Sequence, residues 1–228
     1  MVIMNRIWYL SPSNQGANLG VGNYGSEKEQ MNLLVDEIIP HLDRAGVSFH
    51  RADPDMTLEQ RVRESNAMNA VFHLALHSNA GGKGMARGAV AYYYSEAGKI
   101  FGEKLVNALA SLGQESNRSK RVKEEKTFYE LKRTNAPACL FEVDFHDSES
   151  GVAFLINRRS EIAEAIARVI IEADGKTFVP VTCGEYVDRA IRMGFLPQNG
   201  KYDNPLTLEE AAIMMVKLAD HLAKGVNL

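Results

Sequence analysis

Apolar residues recur along this chain with two periods, one of strands and one of helices, and the two alternate through most of its length. Arg6 to Leu10 reads as a first strand, and the stretch to Gly25, rich in Gly, Asn and Ser, reads as a loop long enough to be functional. From Ser26 the period becomes helical. Ser26 suits an N-cap, Glu27 and Glu29 suit the first turn, and Met31, Leu34, Val35, Ile38 and Leu42 share one face until Gly46 ends the helix. Ser48 to Arg51 reads as a strand. Thr57, with Gln60 at the capping-box position, opens a helix over Leu58 to Met68. Ala70 to Leu76 and Ala89 to Tyr94 read as strands and Ser95 to Leu112 as a helix. A charged loop, a strand over Ala138 to Phe145 and one long helix from Ser148 to about Ala173 complete the pattern.

Strands alternating with helices predict an α/β fold, a three-layer domain whose largely parallel twisted sheet is flanked by helices and carries its functional groups at strand ends. This domain is expected to span residues 1–175. Residues 176–228 are expected to form a small helical C-terminal module, with helices over Gly184 to Met193 and Thr207 to Ala223. Within it, Asn199 to Leu218 has a faint likeness to a surface-layer homology repeat, which suggests a wall-binding role. No internal repeat or low-complexity segment is evident.

Composition narrows the function classes. Of 228 residues, 45% are hydrophobic and 24% charged, which is ordinary for a globular protein. The net charge of −3 comes from intermixed acids and bases, so no nucleic-acid partner is expected. The densest basic stretch, Arg118 to Lys126, also holds Glu124 and Glu125 and reads as a solvated loop. No apolar run approaches the roughly 20 residues that span a bilayer. Met1 to Leu10 lacks the features of a secretory signal, so the chain is expected to be cytoplasmic as synthesised. Cys139 and Cys183 are too few and too isolated for a disulfide framework, and Cys139 reads as a buried small hydrophobe.

Three segments carry candidate chemistry. In Leu74 to Gly82, His77 follows a buried strand, where an imidazole is rigidly held at the open edge of a sheet. His73 lies four residues earlier, a separation of ~13 Å along a strand, so a core or supporting role is expected for it rather than a shared metal. In Phe141 to Asp147, Glu142 and Asp144 share a strand face and His146 follows at the end. A carboxylate in so apolar a run is costly unless paired, hydrogen-bonded or metal-bound, and partial desolvation would make Glu142 a natural general base. In Gly25 to Glu29, one of two acids could bind a metal or simply favour the helix start.

Taken in order, these segments resemble the zinc-dependent N-acetylmuramoyl-L-alanine amidases. The family's "SIHANA" strand end is matched by LALHSNA, which places a zinc-binding role on His77. Its "PAVLVELGF" strand is matched by PACLFEVDF, which places the catalytic role on Glu142. The turn and strand after the His motif are matched by Arg87 to Tyr92, and Leu131 to Thr134 before Pro137 also fit; the likeness covers roughly residues 6 to 172. For the metal-binding Glu, Glu27 is preferred to Glu29, because the helix from Glu27 through Leu42 to Gly46 has the family's length from ligand to terminal Gly. Arg87 and Asn79 are candidate substrate contacts, and zinc and peptidoglycan are the implied cofactor and partner.

One departure stands out. The family opens with a "DPGHGG" turn whose His is the first zinc ligand, and this chain reads Ser11-Pro12-Ser13-Asn14-Gln15-Gly16. Asn14 stands at the His position and is a poor zinc ligand. Three arrangements follow. A third ligand comes from elsewhere, with Asn14 and His146 the candidates; or two protein ligands and waters hold the metal; or the domain has lost metal and catalysis and kept substrate binding. The resemblance implies hydrolysis of the amide between N-acetylmuramic acid and L-alanine of the stem peptide. Activity is expected on the wall after release, or within a sporulating cell, with a zinc peptidase on another amide as an alternative.

Overall fold

The structure is a computed structural model that describes residues 6–81 and 84–180. The elements run β1 (Trp8–Pro12), α1 (Glu27–Arg44), β2 (Phe49–Arg51), α2 (Leu58–Ala67), β3 (Phe72–Asn79), β4 (Val90–Tyr93), α3 (Glu96–Ser111), β5 (Val122–Glu124), α4 (Tyr129–Arg133), β6 (Ala138–Phe145), α5 (Glu149–Asn157) and α6 (Arg159–Ala173). The six strands lie in the order β2-β1-β3-β6-β4-β5. β1 pairs in parallel with β2 and β3, and β3 with β6, whereas β4 runs antiparallel to β6 and parallel to β5. The expected α/β architecture with its largely parallel sheet is thus present.

The caps read from sequence form. Ser26 Oγ accepts the Glu29 N–H, and at Thr57 both arms of the capping box with Gln60 are made. Strand alternation then divides the sheet's two faces. Trp8, Leu10, Leu74, Leu76, Cys139, Phe141 and Val143 point to one side and join α1, α3, α5 and α6 in the main core. Tyr9, Ser11, His73, Ala75 and His77 point to the other, where α2 and α4 lie. Helix α3 approaches the sheet closely because Gly98 and Gly102 face the Ala138 carbonyl and the Ala91 methyl.

Several expectations need correction. The first strand begins and ends two residues later than read, because Arg6 is exposed and ion-pairs with Asp174 while Ser11 and Pro12 pair with Ala75 and Leu76. The stretch expected to be only a solvated loop contains β5, a three-residue edge strand, and the short helix α4 follows before β6. The long helix expected over Ser148 to Ala173 is two helices broken at Arg158, whose backbone (φ −120°, ψ 20°) leaves the helical region. The first compact unit of the chain ends at Val179. Cys183 and the two helices expected after it lie outside the described residues.

Candidate active site

β1, β3 and β6 run side by side in one direction, so their C-terminal ends form a single edge, and the start of α1 reaches it. His77 and Glu142 are direct partners across the β3–β6 pair. The alternation that buries Leu76 and Phe141 in the main core turns both functional side chains to the opposite face.

Glu27, the first residue of α1, is 1% exposed, and its Oε1 lies 2.7 Å from His77 Nδ1. Asn18 Nδ2 donates to its second oxygen at 2.8 Å. Glu29 is exposed, and of the two acids it is Glu27 that meets His77. Gln15 Nε2 lies 3.2 Å from His77 Nδ1, and its Oε1 accepts from Asn18, so two amides brace the pair.

Glu142 is half-buried, and its Oε2 is enclosed with no hydrogen-bond partner. Burial, reinforced by the nearby Glu27 carboxylate and opposed by His77, pushes its acid up to about 7. His77 is affected in the opposite sense. Burial works against its cation, yet Glu130 and Glu27 on either side of the ring, with Glu142 nearby, raise it to about 10. A bound cation would displace that proton.

Glu130 was not anticipated from sequence. It sits in α4 at 3% exposure, with Oε2 3.9 Å from His77 Nε2, an electrostatic contact rather than a hydrogen bond. Its Oε1 meets His73 Nε2 at 3.0 Å and accepts from Ser11 Oγ at 2.5 Å. The buried histidines on either side hold this carboxyl well below the usual range against the penalty of burial. The signal that could have revealed it was His73 itself, an imidazole in an apolar strand that required a partner. His73 is fully buried between Glu130 and Ser65 Oγ, as a core residue.

The two candidates for a further ligand stand apart from this group. Asn14 Nδ2 donates to the Met56 carbonyl oxygen at 2.8 Å. His146 Nδ1 meets Ser78 Oγ at 2.8 Å, Ser78 accepts from Tyr24 OH at 2.6 Å, and the His146 ring stacks on Tyr24. Ser78 follows His77 and therefore faces the other side of the sheet, which takes His146 with it. Asp144, expected to share a face with Glu142, accepts instead from the Gly88 and Phe145 N–H groups and Gln114 Nε2 and fixes the turn before β4. Arg87, at the start of that turn, is ion-paired with the exposed Glu115 at 3.2 Å. Asn79 ends β3 half-buried, its Oδ1 accepting the Ala80 N–H.

Among the described residues no group of three or more His, Cys, Asp or Glu side chains is arranged to hold a metal ion. Two donors do suit a divalent cation. An imidazole nitrogen and a carboxylate oxygen converge at this edge of the sheet, and the enclosed, unpartnered oxygen of Glu142 belongs to the neighbouring strand. Glu27 and His77 are thus one donor short of the three protein ligands usual in a catalytic zinc site.

The fold has clear relatives. AmiC2, an N-acetylmuramoyl-L-alanine amidase of Nostoc punctiforme, superposes with a TM-score of 0.66 at 22% identity, covering 75% of this chain and 98% of that one. The catalytic domain of CwlV, an N-acetylmuramoyl-L-alanine amidase from Bacillus (Paenibacillus) polymyxa var. colistinus, gives 0.65 at 20% identity over 75% and 98%. Ami1, the N-acetylmuramyl-L-alanine amidase of Mycobacterium smegmatis, gives 0.63 at 18% identity over 74% and 96%. At such identities these likenesses speak for the fold. No curated protein matches the sequence. A family model does, the N-acetylmuramoyl-L-alanine amidase model, over residues 10–172, a span that takes in Glu27, His77 and Glu142. The chain therefore belongs to the N-acetylmuramoyl-L-alanine amidase family.

Proposed function

We propose that this domain hydrolyses the amide joining the lactyl group of N-acetylmuramic acid to L-alanine of the peptidoglycan stem peptide. The observation that carries this reading is the enclosed, unpartnered carboxylate oxygen of Glu142, directly across the strand pair from His77. Leaving such a group unsatisfied costs on the order of 1–3 kcal/mol, a cost that a site retained only for binding has no need to bear.

Glu27 and His77 would hold a divalent metal, zinc by family, with water or substrate completing the coordination. When bound, that ion supplies Lewis acidity toward the scissile carbonyl and toward water. Gln15 and Asn18 keep the two donors together. Glu142, poised near neutrality by burial, takes a proton from the attacking water on its carboxylate and returns it to the departing L-alanine nitrogen. Asn79, at the end of the strand that carries His77, offers an amide to the substrate. Arg87 offers a guanidinium to a stem-peptide carboxylate, in exchange for its exposed pairing with Glu115.

The test combines elemental analysis of the purified protein with incubation on peptidoglycan and assay of newly freed alanine amino groups. Bound metal with release supports the amidase reading. Release of fragments cut within the stem would instead identify a peptidase. A second reading, a peptidoglycan-binding domain without turnover, is favoured by Asn14 turning to Met56 and by the two-ligand set. Sedimentation with insoluble peptidoglycan, without metal and without release, would establish that reading and end the first.

A further inference from the structure

We propose that Glu130 is a positioning residue for this site, a carboxylate that holds the His77 ring from behind so that Nδ1 stays turned toward Glu27. The proposal deepens the amidase reading and rests on its choice of Glu27 and His77 as the metal-holding pair.

An imidazole can present one nitrogen to a metal or substrate only if its ring is oriented and its other nitrogen keeps the proton, and a carboxylate at that other nitrogen secures both. The ring of His77 has Glu27 at Nδ1 and Glu130 at Nε2. Glu130 is itself fixed. Its Oε1 is held by Ser11 Oγ and His73 Nε2, Ser11 Oγ is in turn reached by Arg61 Nη1 at 3.2 Å, and Arg61 is 1% exposed. His73 is locked by Ser65 Oγ at 3.1 Å and by stacking on Tyr9, ring centres 4.9 Å apart. With one oxygen anchored in this way, the other is directed at His77.

A purely structural reading treats Glu130 as the partner of His73 alone. Two observations go beyond it. The carboxylate bridges both histidines of β3 rather than turning fully to one. It also contacts Ser11, which stands where the "DPGHGG" turn of the resembled family carries its Asp. Ser11 Oγ donates to this carboxylate at 2.5 Å, so an acid placed at Ser11 would lie beside the position Glu130 now holds.

The experiment uses the full chain with ¹⁵N-labelled histidine as wild type, E130Q, E130V and the double variant E130V with S11D. Two quantities are read: the Nε2–H resonance of His77 in chelator-stripped protein, and zinc affinity by competition with a chromophoric chelator. The expected result is a slowly exchanging Nε2–H signal in the wild type that shifts and exchanges faster in E130Q and E130V. Zinc affinity should fall by about 10- to 100-fold in the same variants. The double variant, with its carboxylate moved to β1, should recover both, which repair of packing alone would not do. Glu64→Gln serves as a control, since Glu64 bonds Tyr9 on the same face and is not in contact with His77, and its His77 signal should not move.

Unchanged His77 signals and zinc affinity in E130Q would overturn the proposal, as would failure of the double variant to recover them while folded. Should E130Q not fold, the double variant alone decides. Should the wild type bind no zinc, the metal reading fails separately, and the ring signals still decide the role of Glu130.

Discussion

Glu142→Gln, studied without metal, tests the physical basis of the catalytic assignment. The carboxyl is pushed from 4.5 to about 7 chiefly by burial. The sign follows from which state ionises first. Below the unfolded value both states are protonated and the group contributes nothing. As pH rises through it the unfolded chain ionises first, so the wild type loses stability until the folded value is passed. At ~1.4 kcal/mol for each pH unit of displacement, the full loss is about 3 kcal/mol. The partial exposure of the residue reduces this, so between roughly pH 5 and pH 8 the wild type should lose about 2 kcal/mol relative to the glutamine variant. Urea unfolding of both proteins in chelator across that range provides the assay. Their difference reports this carboxyl together with its coupling to His77, whose own titration is raised to about 10, above the window. A flat difference curve would mean that Glu142 is solvated and ionised throughout, and the argument for a desolvated general base would collapse.

Further outcomes can be checked with simple variants. His77→Ala should abolish metal retention measured by elemental analysis, whereas Glu142→Ala should keep the metal and lose turnover on peptidoglycan; the reverse pattern would exchange their roles. Thr57→Ala removes one arm of the capping box of α2 and should lower stability by about 1 kcal/mol in chemical denaturation. Gly98→Ala drives a methyl group into the Ala138 carbonyl oxygen. Its overpacking cost of about 1–3 kcal/mol should outweigh the ~1 kcal/mol gain in helix propensity, giving a lower melting temperature. Full stability of this variant would show that α3 can back away from β6.

The elements that sequence reveals well are those whose own residues carry the information. α1 and α2 combine a helical apolar stripe with a cap residue, and β3 and β6 are long apolar runs. β5 and α4 lack such signals. β5 is three residues, Val122–Glu124, ordered by pairing with β4, and α4 opens at Phe128 without a side-chain cap. The break at Arg158 has no Gly or Pro to announce it; its guanidinium is tied to the Leu112 carbonyl and to Glu161, contacts that belong to the folded chain. The site divides in the same way. His77, Glu142 and Glu27 lie in recognisable motifs. Glu130 comes into contact with Ser11, His73 and His77 only when α4 packs against α2 and β6 and its side chain reaches over to β1 and β3.

The two faces of the sheet also explain how so many ionisable groups can be buried at the strand ends. The main core, from Trp8 and Leu10 through Leu74, Leu76, Phe141 and Ile166, lies on the face covered by α1, α3, α5 and α6. Most of the hydrophobic stabilisation is generated there. Among the described residues the opposite face has two small apolar clusters that share Tyr92, one of Ala75, Leu131, Ala138 and Leu140 and one of Ala86, Val90 and Phe145, beside Tyr9, Ser11, Arg61, His73, Glu130 and His77. Polar substitutions on that face leave the larger core intact. Replacing Glu130 by glutamine keeps a hydrogen-bonding group of the same shape among Ser11, His73 and His77 while removing its charge. The expected consequence is a folded protein with an altered His77, and that separation of folding from site geometry is what makes the positioning role of Glu130 open to measurement.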